Sequence, residues 1–474
     1  MDINSQEHIK AIAPDVAKAY QLGKEQKYDE AYQTLLPLFE AKEIPSYFEE
    51  PCGWTIYRYL KIYESRLSSP EIRKALSYYL TFASCKPSNL HSCIMVQAVN
   101  LEKKHENDFR FIEFCQMWRL ENFREEDFIS AKGTTGSGKS IEFQSLAENV
   151  ATRLYKELKS RHTEEFVNDL FPFFLTVKEK CLGNRFIGMY IAQLYYWLND
   201  IEKAIAEYKK ILRTAPEWFI WKHFGDICED TEIKISMYCK AMTMMGKDEY
   251  IGELRLNLAS LLLKQNKEHA AYEIEQYMKT YKENGWKISG DVYLLQSKVQ
   301  GIVPSTQARQ FYRNNIEKAE DFAYSDIPVE ELTYNGIVTN HSGKEKASLV
   351  NKRKKIFVRT SLTPQLRKAE IGDVFLVRVY EHQKRTIALT IHPTEKKNVQ
   401  STHTHSAKQG NEADVTISGV VSFPAQGEFC FIDHQYFVSE KLTKANNLKA
   451  GDSVKVKAKK MPDGRWRVVS IINE

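Results

Sequence analysis

Phe429 and Phe431 stand two residues apart in the segment EFCFID, with Phe437 following and Phe423 preceding them. On an extended strand, residues two apart leave the sheet on the same face. Rings gathered in this way and left exposed stack nucleic-acid bases, at roughly 1–3 kcal/mol per base and with little regard to sequence. Lys441, Lys444, Lys455, Lys457, Lys459, Lys460, Arg465 and Arg467 surround them and would follow a phosphate backbone. A second chemistry is written at Gly133-Thr134-Thr135-Gly136-Ser137-Gly138-Lys139-Ser140, which matches the phosphate-binding pattern G-x-x-x-x-G-K-[S/T]. There the amides after Gly138 would face the phosphates, Lys139 would hold the β- and γ-phosphates, and Ser140 would bind magnesium.

The two chemistries need different frames. A phosphate-binding loop needs a buried strand before it and a helix opening at its Gly-Lys-Ser. The preceding RLENFREEDFISAK is too polar for a buried strand, and Ser145-Leu146-Ala147-Glu148 is a capping box that starts the helix at Ser145, past the loop. The alternation of strands and helices that houses such sites is missing, and so is a second magnesium ligand. The loop therefore reads as a Gly-rich connection between helical blocks, with nucleotide binding as the alternative.

The aromatic residues have a better frame. Apolar residues alternate with polar ones in runs punctuated by Gly, Pro and Asn-Asn, which predicts strands over Val415–Phe423, Glu428–Asp433, Tyr436–Ser439, Ser453–Lys459 and Trp466–Ile472. Five short strands with one longer connection fit a small closed barrel of OB type. Val420, Ile432, Val438, Val454 and Val456 are expected to fill its core, leaving the phenylalanines outside. Gly419-Val420-Val421-Ser422-Phe423, Phe429-Cys430-Phe431-Ile432 and Tyr436-Phe437-Val438-Ser439 resemble the cold-shock domain, whose pattern runs G-x-V-K-W, K-G-F-G-F-I and V-F-V-H. The resemblance implies that Phe423, Phe429, Phe431 and Phe437 are base-stacking positions. Glu428 and Ser439 depart from that pattern, and both departures weaken attraction or stacking.

Tyr334–Pro393 predicts a second, weaker barrel, from NGIVTN, KASLVN, KIFVRT, DVFLVRVYE and RTIALTI. Gly372-Asp373 precedes its fourth strand as Gly451-Asp452 precedes that of the last barrel. Ala347 and Leu349 are expected where the last barrel has Phe429 and Phe431. Phe357 and Arg359 remain, and Lys352, Arg353, Lys354 and Lys355 offer phosphate contacts, so this module is expected to supply electrostatics more than stacking. Residues 394–412 are polar and predict a flexible linker. His403 and His405 within it do not amount to a metal site.

The chain has 474 residues and a net charge of +5. From Glu330 onward 24 Lys and Arg face 15 Asp and Glu, a balance of +9, which leaves −4 for the remainder. Basic charge thus accompanies the strands, as a nucleic-acid module requires. Eight cysteines are scattered without C-x-x-C spacing, which argues against a disulfide scaffold or zinc ribbon. No apolar run is long enough for a membrane helix, and MDINSQEHIKAIA lacks the pattern of a signal peptide, so a cytoplasmic setting is expected.

The first two thirds predict helix after helix: an irregular block with one hairpin over 1–160, and repeats over 161–325. Val16–Ala41 and Gly188–Pro216 have Ala and Tyr at the spacing of tetratricopeptide hairpins, and Trp218–Met245 and Tyr250–Tyr281 read as degraded copies. The expected architecture is an all-α helical-repeat region followed by OB-type barrels at 330–393 and 413–474. CGWTIYRYLK, KPSNLHSCIM and FCQMWRLENFREEDF, together with repeats and two cold-shock-type barrels, look like a component of bacterial TOTE conflict systems. That resemblance implies a non-enzymatic adaptor in defence against invading nucleic acid. The expectation is single-stranded RNA or DNA on the barrels and a protein partner on the concave face of the repeats, without cofactor or metal. A nucleotide-dependent enzyme and a purely protein-binding scaffold are the alternatives.

Overall fold

The computed structural model describes residues 3–84, 86–104, 109–134, 136, 138, 140–245, 247–339, 345–359, 363–383, 385–394, 415–424, 429–433, 435–460 and 466–472. The chain forms two units, residues 1–394 and 395–474.

The first unit is mostly antiparallel helix pairs. Ile3–Lys24 packs on Tyr28–Ala41, Leu146–Arg161 is followed by Glu164–Lys180, and Arg185–Trp197 packs on Ile201–Leu212. Trp218–Ile227 with Thr231–Met244 and Gly252–Leu262 with Lys267–Glu283 complete the series. The turn between Arg185–Trp197 and Ile201–Leu212 is made by Asn199-Asp200. Asn199 takes the left-handed conformation (φ 58°), and the Asp200 carboxylate caps the next helix by accepting from the Lys203 amide at 3.3 Å. Glycine sets the closeness of the pair Trp218–Ile227 and Thr231–Met244, where a Cβ on Gly225 would lie 2.8 Å from the Tyr238 ring. One hydrophobic core runs from Ile12 to Ile327, so the irregular block and the repeats share it. Trp118, Tyr79 and Phe111 of the irregular block are fully buried, as their helical spacing predicts. The helix over Ser69–Phe82 has Ser68 at its N-cap, Pro70 in its first turn and Glu71 accepting from the Ser68 amide.

Ser145 caps the helix Leu146–Arg161 as expected: its hydroxyl accepts from the Glu148 amide (3.2 Å), and Glu148 accepts from the Ser145 amide (2.7 Å). The segment before it is not an irregular connection. Strands β1 (Ala131–Thr134) and β2 (Ser140–Phe143) form an antiparallel hairpin with Gly133 opposite Ile141 and Thr134 opposite Ser140.

The first β-module belongs to the same unit as the helices. Its strands are β3 (Val329–Thr339), β4 (Glu345–Val350), β5 (Lys355–Arg359), β6 (Val374–His382) and β7 (Arg385–Pro393), in the order β5-β4-β3-β6-β7. The closing ladder of the expected barrel is absent among the described residues, although β5 and β7 come close to each other. Its β6–β7 side faces the helices. Arg378 pairs with Asp321 (2.7 Å), His392 with Glu320 (2.9 Å) and Arg213 with Asp326, and the Arg213 guanidinium lies 5.5 Å above the Tyr380 ring.

The second unit holds β8 (Val415–Ser422), β9 (Cys430–Ile432), β10 (Tyr436–Val438), β11 (Ser453–Lys460) and β12 (Trp466–Ile472), in a closed barrel β10-β12-β11-β8-β9. Parallel pairing of β10 with β12 closes it. The observed strands agree with the expected ones to within two residues at each end. Among the described residues no helix is long and apolar enough to cross a membrane, no group of three His, Cys, Asp or Glu could hold a metal, and seven cysteines are free thiols.

Candidate nucleic-acid interface

The barrel core consists of Val421, Cys430, Ile432, Val438, Val456, Ala458 and Val468, all buried. Val454 packs only partly against it, and Val420, expected inside, is 49% exposed. The reason is local. The Val420 amide donates to Asp433 Oδ1 at 2.8 Å while Asp433 returns its own amide to the Val420 carbonyl at 3.0 Å, and these bonds fix the register that turns Val421 inward. Gly419 permits the approach, because a Cβ there would stand 2.3 Å from Asp433 Oδ2. Nothing in hydrophobic alternation alone announces this pair.

With Cys430 and Ile432 inside, Phe429 and Phe431 leave the opposite face, where Phe437 joins them across the β9–β10 pairing. The ring centroids form a triangle of 5.5, 5.8 and 5.9 Å. All three rings are half-buried, and Val438 and Ile432 complete the core without them. Phe423 lies just beyond β8, 38% exposed, and pairs with none of the three rings.

The cations sort by register. Arg467 pairs with Phe437 across the parallel β10–β12 ladder, and Lys459 pairs with Arg467 on the other side. Both line a groove of about 320 Å³ with Ser439, Leu442, Val468 and Val469. Lys455 and Lys457 sit on the same outer surface but oppose Ser418 and Thr416, four and six residues along β8 from Ser422. Along β11 they stand two (Lys457) and four (Lys455) residues from Lys459, about 7 and 13 Å further along the strand. Lys444 is paired with Glu440 at 2.8 Å. Arg465 and Glu428 lie outside the described residues, as do His403, His405 and the side chains of Lys441 and Lys460.

Register shows that the two β-modules are built alike. Tyr334 pairs with Leu349 as Val421 pairs with Ile432, and Phe357 pairs with Ser348 as Phe437 pairs with Phe431. Each fourth–fifth strand ladder has its irregularity at the same step, after Arg378 and after Lys457. Each Gly-Asp turn is made alike. Gly372 and Gly451, both left-handed, donate to the carbonyls of Tyr334 and Val421 at 2.9 Å, and the Asp carboxylates accept from Glu370 (2.9 Å) and Lys449 (2.7 Å). The residues at the places of Phe429 and Phe431 are therefore Lys346 and Ser348, not Ala347 and Leu349, which are inward and fully buried. Phe357 stands at the place of Phe437 and is 48% exposed. Lys354 is engaged by Glu330 (2.6 Å), so it is not a spare phosphate ligand, whereas Lys352 and Arg353 project from the turn before β5 and are exposed.

At the other candidate site the hairpin geometry decides. Gly133 and Ser140 belong to opposing strands, and the helix after them begins at Leu146, so that helix does not open at Gly138. Lys139 is outside the described residues.

A family model for a domain of unknown function, DUF7017, matches residues 185–319. Among solved structures, the chain is similar to the C-terminal part of a TPR repeat-containing protein from Cytophaga hutchinsonii, at 14% identity and a TM-score of 0.30, covering 59% of this chain and 98% of that one. No curated protein matches.

Proposed function

We propose that the chain is a non-enzymatic adaptor that holds single-stranded RNA or DNA on the outer face of its C-terminal barrel. The observation that supports this most is the Phe429–Phe431–Phe437 triangle, outside a core complete without it and beside Arg467 and Lys459. Rings offer bases a sequence-tolerant surface, and adjacent cations offer the phosphates a counter-charge. In this reading the barrel is of OB type and cold-shock-like, with Phe423 as a further contact at its rim. The helical hairpins are of tetratricopeptide type and dock a protein that performs the chemistry. Resemblance to TOTE components is the support for a role in bacterial defence. The hairpin at residues 131–143 gives the nucleotide-dependent alternative no geometric support.

The test is fluorescence anisotropy of labelled single-stranded RNA and DNA against the full chain at two salt concentrations. Binding should weaken with salt and fall by about ten-fold or more in Phe429→Ala/Phe431→Ala, while Phe437→Trp, which keeps a stacking ring, retains it. Absence of binding to any strand at low salt overturns the proposal.

A further inference from the structure

We infer that the first β-module carries a second seat for the same ligand, in which one base lies on Phe357 and the adjoining phosphate sits between Lys346 and Arg359. The inference rests on the reading of the C-terminal barrel as a nucleic-acid platform, and extends it to a part of the chain where the sequence pattern suggests electrostatics more than stacking.

Three observations carry it. Phe357 occupies the position of Phe437 in the shared register and leaves nearly half its surface to solvent, outside a core of Leu332, Tyr334, Ala347, Leu349, Ile356 and Phe375. The Lys355 ammonium stands 5.4 Å from the ring centroid. Lys346 and Arg359 are cross-strand partners on that same outer face, and neither has an ion pair with a described residue. Like charges directly opposite on paired strands repel. A phosphate between them would turn that repulsion into two attractions.

The seat is also bounded. Ser348, at the place of Phe431, is fully buried, so the aromatic surface ends with one ring. The positions of Lys459 and Arg467 fall to Tyr380 and Ile387, on the β6–β7 side that meets the helices. A strand crossing this module therefore has room over β5 and the Lys346 end of β4, and no continuation over Ser348 or over β6 and β7. That limits the contact to about one nucleotide.

The experiment uses the full chain and a single-stranded oligonucleotide carrying 5-iodouracil. Anisotropy measures affinity, and ultraviolet cross-linking followed by peptide mapping locates contacts. In Phe429→Ala/Phe431→Ala/Phe437→Ala, residual binding should persist with cross-links within residues 355–359. Adding Phe357→Ala should lower that residual affinity roughly ten-fold, and Phe357→Tyr should not. Lys346→Gln/Arg359→Gln should lower it too and flatten its salt dependence. Unchanged affinity in Phe357→Ala, with no cross-link in 345–359, overturns the inference and leaves the barrel platform standing. Full binding by the triple variant that is lost with Phe357 would instead overturn the platform. Absence of binding by the unaltered chain removes both.

Discussion

Glu320 should hold the first β-module on the helices, and its removal should cost more than removal of its histidine partner. The carboxylate is 5% exposed and meets Lys240 from one side and His392 of β7, at 2.9 Å, from the other. Burial alone would raise its carboxyl, yet His392 and Lys240 hold it below its ordinary value. The Glu320 carboxylate in turn raises His392 above its ordinary value against the effect of burial, with Glu317 and Asp321 adding to it. Glu320→Gln leaves Lys240 and His392, both partly exposed, without their shared anion, and the loss of these charge-assisted hydrogen bonds should cost about 2–3 kcal/mol. His392 is one-third exposed, so His392→Gln should cost about 1 kcal/mol at pH 6.

The pH dependence follows from the two directions. The contribution of His392 is in full below its unfolded pKa of about 6.5 and is lost as pH rises through its raised folded value. The contribution of Glu320 is in full above its unfolded value of 4.5 and is lost as pH falls through its lowered folded value. Urea-unfolding midpoints at pH 6 and pH 9 read this out. His392→Gln should differ from the unaltered chain at pH 6 and converge with it at pH 9, whereas Glu320→Gln should differ at both. An equal deficit for His392→Gln at the two pH values would refute the reasoning.

Gly419→Ala should destabilise the C-terminal barrel by about 1–3 kcal/mol, because the new methyl meets the Asp433 carboxylate, and thermal unfolding should show Asp433→Gly relieving part of the loss. Lys459→Gln/Arg467→Gln should reduce the slope of log affinity against log salt by about 0.7 for each phosphate left without its cation, and should not alter preference among sequences. Ser145→Ala should cost about 1 kcal/mol in chemical denaturation by removing the cap. Lys139→Ala should change neither stability nor nucleic-acid affinity, measured on the same samples.

Helix pairing and the strands of the last barrel were legible because their signals are local: Ala and Tyr at helical spacing, a capping box, and alternation between turn residues. Parity was less legible. Alternation identifies two faces without saying which is inner, and the Gly419–Asp433 contact that decides it in β8 spans fourteen residues. The same limit shifted the expected counterparts of Phe429 and Phe431 by one residue in β4. The salt partner of Lys354 is 24 residues away in sequence, so a run of four basic residues could not reveal that one was taken. The hairpin at 131–143 was concealed by composition, since Gly, Ser and Thr read as loop even where they pair.

The open strand order of the first β-module has a consequence for solubility. A closed barrel has no exposed strand edge, whereas an open sheet has two, and unpaired edges invite further strands and aggregation. Here β7 lies on the side that meets the helices, and β5 is short, begins and ends in Lys355 and Arg359, and follows Lys352 and Arg353. Charged side chains on a short edge strand repel a second copy of the same edge. Charge on this edge is expected to discourage self-templating, and replacing these residues with neutral ones should show as loss of soluble yield.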